Sequence, residues 1–95
     1  MPAAYAIGRI NVKNERLWAE YRSKVPDTLL PWHGELVFRG TQFLELAGQC
    51  PAADVVVLRF PDADALQNWF SSAAYQALIP LREAAADVIL TAYET

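Results

Sequence analysis

The sequence predicts an α+β domain in which a strand, a helix and a strand occur in that order twice. Three observations carry this reading. Short runs rich in β-branched residues lie at both ends and in the middle of the chain; two stretches with helical apolar spacing separate them; and 95 residues leave room for one domain.

Residues 4–12, AYAIGRINV, read as the first strand, ended by Lys13-Asn14. Asn14 is placed to cap a helix, with Glu15 adding negative charge at the positive end of its dipole. Leu17, Trp18, Tyr21 and Val25 share one face of that helix, and Glu20 and Lys24 form an i, i+4 pair on another. Pro26 predicts a kink and Pro31 a stop, so the helix spans 15–30. Polar and apolar residues alternate through 35–40 and again through 43–47 around Gly40, which predicts one long strand with a bulge, the favoured reading, or a hairpin. The turn formers of 48–54 separate it from a compact strand at 55–60, VVVLRF, closed by Pro61. Asp62 caps a second helix carrying Leu66, Trp69 and Phe70. Ser71-Ser72 interrupts it, Ser72 is placed to cap a second segment, and Pro80 predicts a bend before a last strand at 88–93. The order βαββαβ folds most economically into a four-stranded antiparallel sheet with both helices on one face, the ferredoxin-like arrangement.

Two helices cover one sheet face only, so a monomer would keep the other polar. Here both alternating sets of 55–60 and of 88–93 are mostly apolar. The expectation is a homodimer in which two open sheet faces meet.

Charge and composition exclude several classes. Eight Lys and Arg against eleven Asp and Glu leave a net charge of −3, with the cations scattered singly, which argues against nucleic acid. No apolar run is long enough for a membrane helix, and the N-terminus lacks the pattern of a secretion signal, so the expected location is cytoplasmic. One cysteine, Cys50, permits no intrachain disulfide, and one histidine, His33, leaves no recognisable metal motif, so no cofactor is expected. Haem ligation by His33 has no second axial ligand nearby in sequence.

Several residues together resemble the family catalogued as domain of unknown function 1330, within the dimeric α+β barrel group. They are Tyr21 with Val25-Pro26; His33-Gly34 with Leu36 and Arg39-Gly40; Val56, Leu58 and Phe60-Pro61; and the stretch Trp69, Ser72, Tyr75-Gln76, Leu78, Arg82. The sequence departs from the usual pattern at His33, where Gly is common, and at Arg59, where an acidic residue is common. The resemblance implies a ferredoxin-like subunit pairing into a barrel around a cavity. Relatives in the wider group include cofactor-free oxygenases, haem-degrading oxygenases, small isomerases and ligand-binding modules.

The candidate site residues follow. His33 is the sole histidine and is a general base, an axial ligand or a turn residue. Arg39 and Arg59 lie on strands and need a carboxylate, from Glu35 or Glu45, or an anionic ligand. Tyr21, Trp69, Tyr75 and Arg82 sit at spacings that turn them toward a cavity shared with Trp18 and Trp32, or into plain core. Tyr75 and Arg82 stand out because the resemblance includes them. The expected function is a small dimeric barrel protein holding an aromatic or anionic small molecule. The alternative is a cofactor-independent oxygenase or isomerase with His33 as base and Arg39 steadying an anion.

Overall fold

Alternation along the first strand decides the architecture. In the computed structural model, which describes residues 2–95, Ala4, Ala6, Gly8 and Ile10 of β1 (Ala4–Val12) are buried while the residues between them are half exposed. One row of β1 therefore faces helices and the other faces away. β1 pairs antiparallel with β3 (Asp54–Phe60) on one side and β4 (Ala86–Glu94) on the other, and β2 (Glu35–Thr41) lies outside β3, giving the order β2-β3-β1-β4. The ferredoxin-like sheet expected from the sequence is the one observed.

Helix α1 (Glu15–Leu29) begins as predicted, with the Asn14 side chain accepting the Leu17 N–H at 3.0 Å. It continues through Pro26 and passes into one 3₁₀ turn, Leu30–Trp32. His33 ends that turn in the left-handed region at φ 58°. Gly34 follows because the backbone there presses on the core: a Cβ would sit 2.7 Å from the Phe60 ring and 2.9 Å from Leu29.

The second helical stretch departs from expectation. It forms three pieces, α2 (Ala63–Ser71), α3 (Ala73–Gln76) and α4 (Ile79–Ala85), so the layer over the sheet holds four helical segments rather than two. Asp62 caps α2 by accepting the Ala65 N–H at 2.8 Å, and Ser72 breaks the run with ψ 146° while its Oγ accepts the Tyr75 N–H at 3.2 Å. Pro80 sits in the first turn of α4, where no N–H is needed, so the expected bend is a fresh helix start.

The long bulged strand over 35–47 is also corrected. β2 stops at Thr41, and its irregularity falls between Leu36 and Phe38 rather than at Gly40. Residues 43–47 have no strand beside them, because β3 begins only at Asp54 and Pro51 lacks a ladder donor. They belong instead to an arm, residues 42–53. Its base is closed by Gln42 N–H donating to the Ala53 carbonyl at 2.8 Å and by Asn11, whose Nδ2 donates to the Pro51 carbonyl at 3.2 Å and whose Oδ1 accepts the Ala53 N–H at 2.9 Å. Inside it, the Glu45 carboxylate accepts from the Cys50 N–H at 2.7 Å and from Gln42 Nε2 at 3.1 Å.

The core lies between sheet and helices, centred on Phe60, Trp69 and Tyr75, all fully buried. A second cluster of Ile10, Trp18, Ala85 and Ala86 closes the other end. The outward row carries Tyr5, Ile7, Arg9, Val55, Val57, Arg59, Phe38, Ile89 and Tyr93, and no helix among the described residues covers it. The molecule is accordingly a slab of 33 × 30 × 16 Å, one layer of helices on one sheet. Among the described residues no helix is long and apolar enough to cross a membrane.

Candidate functional site

Trp18, Tyr21 and Val25 recur along the face of α1 that meets the sheet, at the i, i+3, i+7 spacing that keeps side chains on one side of a helix. The Trp18 and Tyr21 rings stack, with centroids 5.1 Å apart and planes 23° from parallel. At the tip of Tyr21 the hydroxyl meets the Tyr75 hydroxyl at 2.9 Å, and Arg82 Nη1 donates to that same Tyr75 oxygen at 2.9 Å. Three elements, α1, α3 and α4, are thereby joined at one phenol. Beside it, Trp69 Nε1 donates to Thr28 Oγ1 at 3.0 Å, and the Thr28 hydroxyl donates to the Val25 carbonyl at 2.6 Å. Among the described residues every buried side-chain nitrogen and oxygen has a partner.

The break at Ser72 makes this grouping possible. At 3.6 residues per turn, a continuous helix would set Trp69 and Tyr75 about 120° apart. With the chain extended at Ser72, their rings instead approach to 4.3 Å between centroids.

Arg39 comes from the opposite wall. It pairs in register with Val56, on the row of β2 that faces the helices, and lines a small cavity with Trp18, Tyr21, Trp69 and Tyr75. That cavity measures about 30 Å³, room for about one water. It adjoins an outer groove of about 210 Å³ lined by Trp18, Arg22, Arg39, Thr41 and Asp54. Arg39 makes no ion pair among the described residues, whose salt bridges join Lys13 to Asp87, Lys24 to Glu20 and Arg59 to Glu35. Partial burial, and then the neighbouring Arg22 charge, pull its pKa below the usual arginine value, with Tyr21 opposing. Burial, reinforced by the Tyr75 hydroxyl, pushes the Tyr21 phenol far above its ordinary value, against the pull of Arg82 and Arg39. Tyr21 is therefore neutral at every physiological pH, a hydrogen-bonding group rather than an anion.

The structure thus brings together Tyr21, Arg39, Trp69, Tyr75 and Arg82, with Trp18. It leaves His33 apart: that residue is exposed on its turn, its backbone N–H donates to Leu30, and it is not among the residues lining the cavity. Trp32 packs against the core instead. Arg59 lies on the outward row, where the Tyr5 hydroxyl, and then Glu35 at 3.5 Å, raise its pKa. Glu45 is occupied within the arm. Arg22 and Thr28 were missed by sequence reasoning. Arg22 is one turn after Trp18 and reads as a solvated cation, while Thr28 falls a turn after Val25, the signal that a polar residue sits on the buried face. Among the described residues no group of three His, Cys, Asp or Glu side chains converges as a metal site.

Sheet order, helix layer and polar-tipped aromatic cavity define a ferredoxin-like α+β protein. The chain belongs to the family described as domain of unknown function (DUF1330), which matches residues 3–95. A protein of unknown function from Rhodopseudomonas palustris superposes with TM-score 0.81 at 16% identity, over 98% of this chain and 82% of that one. SnoaB, a cofactor-independent oxygenase from Streptomyces nogalater, superposes with TM-score 0.72 at 10% identity, over 98% and 92%. A dabb family protein with a ferredoxin-like fold from Mesorhizobium loti gives TM-score 0.66 at 11% identity, over 98% and 96%. At these identities the likeness is one of fold. No curated protein matches the sequence.

Proposed function

We propose that this protein is a dimeric α+β barrel subunit that binds a small aromatic carboxylate where Arg39 and Arg22 meet Trp18. The observation that carries the reading is Arg39: an accessible guanidinium on the helix-facing row of β2, without an ion-pair partner among the described residues, in a groove that a second cation shares. Such a group gains most from an anion placed against it, and an Arg fork suits a carboxylate. Trp18, mostly buried and stacked on Tyr21, borders the groove, whose volume of about 210 Å³ limits the occupant to one ring. Tyr21, Trp69, Tyr75 and Arg82 form the fixed wall behind it. The dimer is supported by the uncovered outward row, since a slab face of 33 × 30 Å is of the order of the ~800 Å² per partner in a standard interface. Cytoplasmic residence belongs to the same reading, supported by a single cysteine and hence no intrachain disulfide.

A second reading, a cofactor-independent oxygenase or isomerase with Arg39 steadying an anion and His33 as base, draws on the SnoaB-like fold. Binding is the stronger reading, because His33 does not line the cavity. Salicylate titration followed by quenching of indole emission tests it. Saturable quenching in the wild type, weakened at least tenfold in Arg39→Gln, is the expected result. No saturable signal, or equal binding by Arg39→Gln, overturns it.

A further inference from the structure

The arm spends hydrogen bonds on holding apolar side chains in water. Phe43 is 94% exposed, Leu46 89% and Leu44 60%, so all three are displayed to solvent in the single subunit. A flexible loop carrying such residues would fold them inward. This one is held at its base through Asn11 and internally through Glu45, which takes two bonds across the turn. Three large apolar groups displayed together mark a contact surface.

The arm is continuous with the outward sheet row. Phe38 and Gly40 of that row lead into it, and on its return Cys50 and Ala52 run beside Arg9 and Val55 of the same face, walling a groove of about 320 Å³. Whatever covers the open face therefore abuts the arm. We infer that the arm grips a second copy of this chain, seating Phe43, Leu44 and Leu46 against the partner subunit. In a two-fold pair each subunit offers one arm and receives one, so a single contact type, made twice, covers the apolar groups of both arms. This inference rests on the dimer proposed above and adds to it the part of the chain that holds the dimer shut.

The test compares dimer dissociation constants by sedimentation equilibrium for the wild type, a Phe43→Ser, Leu46→Ser double variant, and a Leu30→Ser control. Leu30 is likewise exposed, at 70%, but lies on the helical layer. Because Phe43 and Leu46 are almost fully exposed within the subunit, the double variant keeps the far-UV circular dichroism and the salicylate response of the wild type. Its dissociation constant rises at least 100-fold while Leu30→Ser leaves it unchanged. A dimeric wild type whose constant is indifferent to the double variant overturns the arm and spares the dimer. An equal effect from Leu30→Ser overturns it as well, since general hydrophobicity then explains the change. A wild type that stays monomeric at millimolar concentration removes the dimer and the arm together.

Discussion

On β3, Leu58 and Phe60 are sealed under the helices while Val57, next to Leu58 in sequence, remains half exposed on the other side of the sheet. The same contrast holds for β1, where Ala6 and Ile10 are buried and Ile7 is not. Both faces are apolar, yet only one is finished. On the helix side, polar groups such as Trp69 Nε1 and the Tyr75 hydroxyl each find a partner and the residual void is about one water in size. On the outward side the apolar row ends in solvent, with Arg9 and Arg59 set among it. Apolarity alone, then, does not locate a core: a face becomes core only when something of matching shape is available to close it.

The largest expected effect separates the two faces directly. Phe60→Ala empties a fully buried position and lowers the unfolding free energy by about 3–5 kcal/mol in urea denaturation. Val57→Glu, three residues earlier on the outward row, leaves the subunit folded by circular dichroism and converts the proposed dimer to monomer in sedimentation. A Val57→Glu protein that unfolds breaks the contrast. Next comes Thr28→Val, which removes the acceptor for a buried indole N–H and costs about 1–3 kcal/mol on the helix side. A change within about 0.3 kcal/mol in urea denaturation shows that the Trp69 contact contributes nothing net. The smallest effect concerns Tyr21. Its folded pKa lies above the ordinary value of 10.0, so the folded state keeps a proton that the unfolded chain gives up. The resulting stability is fully present below about pH 10 and is lost as pH rises beyond it, at about 1.4 kcal/mol per pH unit. Tyr21→Phe abolishes that part of the slope, read as the difference between wild-type and variant unfolding free energies from pH 9 to 11.

Much of this was legible beforehand. Asn14 and Asp62 act as the caps their positions announce, and the four strands and their class follow from the punctuation by Pro61, Gly34 and Asp54. The fate of 43–47 was not legible, since FLELA alternates like a strand and only the absence of a neighbour makes it an arm. The helix break was visible at Ser72, but its effect was not: helical periodicity assumes one phase, and the grouping of Trp69 with Tyr75 depends on losing it. Arg39 and Arg59 read alike in sequence. The displaced register between Leu36 and Phe38 turns Arg39 toward the helices, and a one-residue shift of that kind reverses a side chain's face.

Asn11 gives the sheet a rung that its backbone does not possess. Beyond the Ile10 and Asp54 pair, the Asn11 carboxamide takes the place of a peptide group, accepting from Ala53 and donating to Pro51 as a strand's own main chain would. A side chain acting as backbone can be edited atom by atom, which a true peptide cannot. Exchange of its NH₂ for an oxygen, in Asn11→Asp or by slow deamidation, keeps the half of the rung that accepts and turns the other half into two oxygens facing each other. The root of the arm thus hangs on one side-chain amide, a rung that a single atomic exchange can halve without cutting the chain.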